Sequence, residues 1–206
     1  MGLWHRIAQQ FRQPSGFVGR IAGFVFRMNV QGIEWTIQML DVRPTDQVLE
    51  IGFGPGHGIK RAAELASQGK VAGVDFSETM LQQATRRNAT FIAAGRVELR
   101  LGDAATLPFP DNRFDKVFGT NVVYFWKDPV ATVQEIRRVM KPGGRLALYV
   151  ISKEDIAEFK VTQTGVYHLY SGEELAALLT QAGFHNARFV TQAERHRTGI
   201  CATAEK

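Results

Sequence analysis

A run of alternating glycines is the segment of this sequence with the greatest capacity for chemistry. Residues 48–58 read VLEIGFGPGHG, following a β-rich stretch and preceding a helical pattern. Glycine adopts positive φ angles and lets a ligand approach the backbone closely. A loop at the carboxyl end of a strand is where open α/β sheets bind their ligands. Taken alone, the segment fits a binding loop and a structural turn equally well.

The spacing of these glycines argues against a phosphate-binding loop. A dinucleotide fingerprint needs Gly-x-Gly-x-x-Gly, and after Gly52 and Gly54 the third glycine, Gly56, comes one residue early. A Walker loop needs Gly-Lys followed by Ser or Thr, whereas Gly58 is followed by Ile59. The loop therefore favours a ligand other than a phosphate.

Two acidic residues follow the next β-rich runs along the chain. Asp75 ends the second run, where a carboxylate can accept hydrogen bonds from both hydroxyls of a ribose. A turn acid ahead of Glu78 is the structural alternative for this residue. Asp103 follows the third run, so both acids should border the same cleft. Neighbouring carboxylates repel phosphate and suit a nucleoside or a cationic ligand.

The elements that must position these residues alternate between strands and helices. Helical patterns cover Ile59–Ser67, Glu78–Ala93, Pro129–Met140 and Gly172–Gln181, with Ser77 and Ser171 as N-caps. Strands separated by helices pair in parallel, with helices on both faces of the sheet. The last two strands have no helix between them, which predicts a hairpin with one antiparallel strand. The predicted strands are Gln47–Ile51, Lys70–Asp75, Val97–Leu101, Phe114–Thr120, Arg145–Ile151, Ala187–Thr191 and Gly199–Ala204.

The N-terminal segment differs from this pattern. Residues 1–30 contain four arginines and no acid, within a chain of net charge +5. Apolar residues recur at helical spacing over 3–11, again over 17–28, and in a third helix over Ile33–Leu40. We predict a helical lid over residues 1–43 and an α/β domain over 44–206. A transit peptide, a helix on a membrane surface, a nucleic-acid contact and a solvated face are alternative interpretations of the arginines.

Composition limits the class of protein. The chain has 206 residues, 45% of them hydrophobic, which suits one globular domain with a sizeable core. Its single cysteine, Cys201, excludes an internal disulfide and a cysteine-cluster metal site. No His or Cys spacing indicates a metal. We expect a cytoplasmic protein, with association to a membrane surface as the alternative.

Five segments in order resemble the class I S-adenosylmethionine-dependent methyltransferases, of the small type with a methyltransferase-11-like domain. They are VLEIGFGPG (48–56), VAGVDFSETML (71–81), LRLGDAATLPFPDNRFDKVF (99–118), EIRRVMKPGGRLAL (135–148) and SGEELAALLTQAGF (171–184). The resemblance covers roughly residues 40–206. It implies a Rossmann-like α/β fold with a seven-stranded, mostly parallel sheet of order 3-2-1-4-5-7-6, in which strand 7 is antiparallel.

The resemblance also implies roles for individual residues toward S-adenosylmethionine, whose product is S-adenosylhomocysteine. The glycine loop would hold the methionine part, Asp75 the ribose and Asp103 the adenine amino group. A cleft with carboxylates and no phosphate-binding lysine suits this sulfonium cofactor. The implied cofactor-binding residues are Glu50, Gly52, Gly54, Gly56, Asp75, Phe76, Met80, Asp103, Ala104 and Asn121.

Methyl transfer by direct displacement needs alignment first and a general base only for some acceptors. The candidate catalytic residues are His168, Tyr124 and His57. Each has a structural alternative: a surface histidine, a core tyrosine and a histidine at a helix start. Trp126 could face substrate or pack in the core.

We expect an enzyme that methylates a small-molecule or lipid-like acceptor, because the N-terminal segment is rich in phenylalanine and arginine. A nucleic-acid methyltransferase and a non-catalytic cofactor-binding protein are the alternatives. No Pro-Pro-Tyr tetrapeptide follows the fourth strand, where Asn121 is followed by Val122-Val123-Tyr124. We therefore expect no nucleic-acid partner, and peripheral membrane contact through the N-terminal helices is a further expectation.

Overall fold

A sheet of seven strands forms the centre of the protein, in a computed structural model that describes residues 2–12, 30–194 and 197–206. The strand order is β3-β2-β1-β4-β5-β7-β6, and β7 runs antiparallel to both its neighbours. This order and the antiparallel β7 confirm the predicted fold class. The strands are β1 Gln47–Ile51, β2 Lys70–Asp75, β3 Val97–Leu101, β4 Phe114–Thr120, β5 Met140–Ile151, β6 His185–Glu194 and β7 Arg197–Glu205.

The first four strands have the predicted bounds, whereas the last three are longer. β5 begins at Met140 because Met140 already pairs with Phe114 of β4. The segment Lys141–Gly144, which follows the predicted helix Pro129–Met140, therefore lies in the strand. Gly144, the last residue of this segment, is hydrogen-bonded to Lys206, whose backbone N–H donates to the Gly144 carbonyl.

Helices cover both faces of the sheet and bury two apolar clusters. One cluster joins Val133 and Ile136 to Leu175 and Leu179 on one face. The other contains Ile37 and lies on the opposite face. The helices are α1 Leu3–Arg12, α2 Val30–Leu40, α3 His57–Leu65, α4 Glu78–Arg87, α5 Ala89–Ala93, α6 Pro129–Val139, α7 Lys153–Ile156 and α8 Gly172–Gln181.

The predicted N-caps are present at two helix starts. Ser77 Oγ accepts from Met80 N at 3.3 Å, and Ser171 forms a full capping box with Glu174. The predicted helix over residues 78–93 is broken at Asn88, which was not expected. The Asn88 amide donates to the carbonyls of Ala84 and Gly56, so the break ties α4 to the glycine loop.

The N-terminal helix α2 is part of the core. It packs directly on β4 and β5, and its residues Ile37 and Leu40 belong to the second apolar cluster. The apolar pattern over residues 17–28 lies outside the described residues, and the division of the chain at residue 43 stays a prediction. In the described part of the chain, no helix is both long and apolar enough to cross a membrane.

Candidate active site

A cleft of about 260 Å³ opens at the carboxyl ends of strands β1 to β4. Parallel strands bring these ends to one edge of the sheet, which is where the predicted cofactor residues lie. Nine of the ten predicted cofactor residues line the cleft: Glu50, Gly52, Gly54, Asp75, Phe76, Met80, Asp103, Ala104 and Asn121.

Two glycines of the loop have conformations that other residues rarely adopt. Gly52 has a φ of 67°, and a Cβ there would lie 2.3 Å from Cγ1 of Val122. Gly54 has a φ of 52°, and a Cβ there would enter open space. Gly52 thus permits close packing of β1 on the β4 loop, whereas Gly54 leaves the wall of the cleft clear for a ligand.

Gly56 is the tenth predicted cofactor residue, and it does not line the cleft. It precedes α3 with a φ of 81°, and a Cβ would lie 2.8 Å from the Cβ of Ala84. Packing against α4 therefore requires glycine at position 56, whereas a contact with the cofactor was expected. Gly58 was given no role, yet a Cβ there would lie 2.3 Å from Oε1 of Glu50. Glycine at this position makes room for the buried carboxylate.

Asp75 is held by the backbone around it. Its Oδ2 accepts from Gly54 N and its Oδ1 from Ser77 N, both at 2.9 Å. Burial raises the pKa of this carboxyl to about 6, and the backbone hydrogen bonds oppose the rise. Asp75 therefore joins the glycine loop to β2 and still lines the cleft, as a ribose-binding residue must.

Glu50 and Asn121 each carry a buried polar atom without a hydrogen-bond partner among the described residues: Oε2 of Glu50 and Nδ2 of Asn121. Burial, and then the charge of Asp75, raise the pKa of Glu50 well above its usual value. One atom can accept and the other can donate, and buried polar atoms require partners. The pair suits a ligand with both an ammonium and a carboxylate, as in the methionine part of S-adenosylmethionine.

The outer cleft wall near β3 is more open. Asp103 is exposed, and its Oδ1 accepts from Ala105 N at 2.9 Å. Phe76 is 38% exposed, whereas Met80 is buried and belongs to the second cluster. An exposed aromatic ring beside a carboxylate can hold a flat, hydrogen-bonding group such as adenine. We call Glu50, Asp75 and Asp103 the acidic half of the cleft.

The candidate base His57 lines the cleft but is already engaged. Arg87 approaches its ring, with Nη1 at 2.9 Å from Nδ1 and 2.7 Å from Nε2. Because Nη1 lies near both ring nitrogens, the guanidinium contacts the imidazole ring as a whole rather than one nitrogen lone pair. His57 stays a candidate base in contact with Arg87.

The structure does not bring Tyr124 or His168 to the cleft, in contrast to the expected catalytic placement. Tyr124 is buried, its hydroxyl accepts from Ile151 N at 2.6 Å, and burial raises its pKa. The hydroxyl lies 3.2 Å from Oδ1 of Asn121, so it supports the wall from behind. The His168 side chain is exposed, and its backbone N–H donates to the Tyr124 carbonyl.

Sequence reasoning missed Ile33, Phe125 and Lys127 as wall residues, because they come from separate parts of the chain. Ile33 reaches the cleft from α2, and Phe125 and Lys127 come from the loop between β4 and α6. Trp126 lies in the same loop and is almost fully buried, so it both packs in the core and forms part of the cleft wall, the two placements that the sequence left open. We call Ile33, Phe125 and Trp126 the apolar half of the cleft. Only the tertiary fold shows that these three side chains line one cleft.

Comparisons with known proteins agree with this geometry. Residues 49–148 match a family model described as a methyltransferase domain. The chain is 30% identical to the uncharacterized methyltransferase YdaC of Bacillus subtilis, over 90% of this chain and 98% of that protein. It is 41% identical to a demethylmenaquinone methyltransferase of Symbiobacterium thermophilum, over 54% of this chain and less than half (45%) of that protein.

A solved structure supports the fold. A SAM-dependent methyltransferase from Aquifex aeolicus superposes with a TM-score of 0.72 at 22% identity, covering 96% of this chain and 97% of that chain. The fold, the glycine loop and the relatives thus all indicate the same family. The chain belongs to the class I S-adenosylmethionine-dependent methyltransferases.

Proposed function

We propose that the protein transfers the methyl group of S-adenosylmethionine to a small, largely apolar acceptor by direct displacement. The observation that carries this proposal is the division of the cleft into an acidic half and an apolar half. The acidic half suits the cofactor, whereas Ile33, Phe125 and Trp126 offer a hydrocarbon surface beside it. Ligand sites commonly combine a mainly apolar wall with a few fixed polar groups.

The order of the strands supports an orientation for the cofactor. Asp103 follows β3, Asp75 ends β2, the glycine loop follows β1 and Asn121 follows β4. In this proposal, these residues bind the adenine, ribose and methionine parts in that order along the sheet edge. The acceptor then lies beyond Asn121, against Phe125 and Trp126.

Positioning is the main contribution of the protein in this proposal. When bound, S-adenosylmethionine supplies a methyl group that its sulfonium already activates for displacement. Phe125 and Trp126 exclude water from the acceptor and restrict its orientation, which lowers the entropic cost of the reaction. The Lys127 ammonium, exposed on the cleft wall, would favour the ionised form of an acidic acceptor hydroxyl. An acceptor that ionises in this way does not require His57 as a base.

The relatives support a quinone-like class of acceptor. One relative is named demethylmenaquinone methyltransferase, and the compound in that name, demethylmenaquinone, is an apolar small molecule. Because the match spans less than half of that protein, we propose only that the acceptor of this chain is an apolar small molecule.

The test uses methyl-labelled S-adenosylmethionine with two matched acceptors: a hydroquinone carrying an isoprenoid chain, and the same ring without the chain. We expect faster labelling of the chain-bearing compound, because the apolar half binds the chain. A parallel incubation with a cell extract separates the organic-soluble fraction from nucleic acid and protein. Label confined to nucleic acid would contradict the proposal.

A further inference from the structure

The first helix and a turn beside it expose large apolar side chains together. In α1, Leu3 is 68% and Trp4 46% exposed, whereas Ala8 of the same helix is fully buried. Phe159 is 57% exposed on the segment that follows α7. Exposed large side chains that cluster in this way indicate an interaction surface. We call Leu3, Trp4 and Phe159 the apolar patch.

Contacts in the structure hold this patch together. α1 packs against the turn Thr162–Thr164, which follows Phe159. Lys160, the residue next to Phe159, places its ammonium 6.0 Å from the centre of the Trp4 ring. The Thr162 hydroxyl donates to the Phe159 carbonyl at 2.8 Å, and Thr162 N donates to the same carbonyl at 2.9 Å. The turn therefore holds the Phe159 backbone in place, with the Phe159 side chain exposed.

Positive charge lies beside the patch on α1. This helix carries Arg6 and Arg12 and no acid, and Lys160 lies over Trp4. In the adjoining segment 153–164, Lys153 and Lys160 are offset by three acids, so the net positive charge comes from α1. This combination of Trp, Phe and Leu with Arg and Lys suits an anionic interface that also has a hydrocarbon layer.

The patch lies on the side of the molecule where the cleft opens. The segment 153–170 connects β5 to α8 at the carboxyl edge of the sheet. Within that segment, the Tyr167 ring packs on the Phe125 ring with centroids 4.8 Å apart. Phe125 is a wall residue of the apolar half, so the segment that carries Phe159 also contacts the wall of the cleft through Tyr167.

We infer that the protein docks on an anionic lipid bilayer through Leu3, Trp4 and Phe159, with Arg6 and Lys160 contacting the headgroups. Trp and Phe enter the interfacial layer, where amphipathic aromatic rings are favoured. The arginine and lysine charges add attraction to anionic lipids within a Debye length of the surface. Such docking would bring the cleft near acceptors dissolved in the membrane.

Sedimentation with vesicles tests this inference. The full-length protein is spun with vesicles of equimolar phosphatidylglycerol and phosphatidylcholine, and with vesicles of phosphatidylcholine alone. We expect roughly tenfold stronger binding to the anionic vesicles. Raising NaCl from about 0.1 M to about 0.5 M should weaken binding, because salt screens the charges. Equal binding to both vesicle types, or none to either, would overturn the inference.

Variants locate the surface. The double variant Trp4→Glu/Phe159→Glu should lose roughly tenfold in vesicle affinity, since both rings would have to leave the interface. Val190→Glu is the matched control, because Val190 is 39% exposed on the edge strand β6, away from the patch. Should the double variant misfold, quenching by brominated lipids replaces it: wild type should be quenched and Trp4→Phe far less. Unchanged affinity of the folded double variant, or unchanged quenching in Trp4→Phe, would contradict the inference.

Self-association is the alternative that this test separates. A wild-type dimer in sedimentation velocity that the double variant abolishes, without vesicle binding by wild type, would assign the patch to a second copy of the chain. The vesicle assay contains neither cofactor nor acceptor. Its failure therefore leaves the proposed methyl transfer standing, and a failed transfer assay leaves the docking result standing.

Discussion

The two halves of the cleft are built in different ways. The acidic half lies at consecutive strand ends, and backbone hydrogen bonds fix it: Gly54 and Ser77 both donate to Asp75. The apolar half depends on the tertiary fold, because Ile33 of α2 lines the same cleft as Phe125 and Trp126 from the loop before α6. We infer that the proposed cofactor end is a local construction, whereas the proposed acceptor end can change with side chains outside the glycine loop.

Filling the cleft at the glycine loop is the first way to test the acidic half. Gly54→Ala would place a methyl group in the open space beside Asp75, so we expect a loss of S-adenosylmethionine affinity of tenfold or more, roughly the 1–2 kcal/mol that lost contacts cost. Calorimetry measures the dissociation constant. Gly95→Ala is the control: Gly95 also has a positive φ (67°) and open space, but it does not line the cleft. Equal losses in both variants would show that backbone strain, not the ligand, explains the glycine.

Removing the Asp75 carboxylate, the proposed ribose ligand, is the second way to test the acidic half. We expect Asp75→Ala to weaken cofactor binding by about 1–3 kcal/mol, the usual cost of losing a charged hydrogen-bond acceptor. Asp111→Ala is the control, since Asp111 is an exposed partner of Arg138 outside the cleft. A dissociation constant unchanged by Asp75→Ala would refute the ribose assignment.

The raised pKa of Asp75 gives the acidic half a pH dependence. Above about pH 6 this carboxyl is ionised and can accept both ribose hydroxyls. As the pH falls through 6 it becomes protonated, so we expect cofactor affinity to fall about tenfold per further pH unit. Asp75→Asn does not titrate, and its affinity should change much less between pH 7 and 5. A wild-type profile as flat as that of Asp75→Asn would contradict the assignment.

The sequence predicted the acidic half of the cleft better than the apolar half. The glycine spacing and the acids after β2 and β3 pointed to four of the nine predicted cofactor residues that line the cleft, because strand ends meet at one edge regardless of packing detail. The family resemblance pointed to the other five. Gly56 lies outside the cleft, since its constraint comes from Ala84 across the loop. Tyr124 and His168 also lie outside the cleft, because their side-chain directions depend on the turn after β4 and on the segment before α8. No local pattern gives those directions.

A mild change in the apolar half should leave the cofactor untouched. Phe125→Leu removes the ring pair with Tyr167, a contact whose aromatic geometry contributes about 0.5–1.5 kcal/mol. We expect a several-fold rise in KM for the acceptor without a change in cofactor affinity. Steady-state kinetics with the chain-bearing hydroquinone measures both constants. A change confined to the cofactor would mean that the acceptor does not contact Phe125.

The smallest expected effect concerns His168. Because its side chain is exposed and does not line the cleft, we expect His168→Ala to change kcat by less than about twofold, as is usual for surface substitutions away from special features. The pH–rate profile should keep its shape. A large loss of kcat with an altered profile would restore His168 as the general base.

The most direct measurement of the central claim is a calorimetric titration of S-adenosylmethionine into three proteins: wild type, Asp75→Asn and Phe125→Leu. The expected result is a clear loss of affinity in Asp75→Asn and wild-type affinity in Phe125→Leu. Comparable losses in both variants, or a loss only in Phe125→Leu, would contradict the division of the cleft into a cofactor half and an acceptor half.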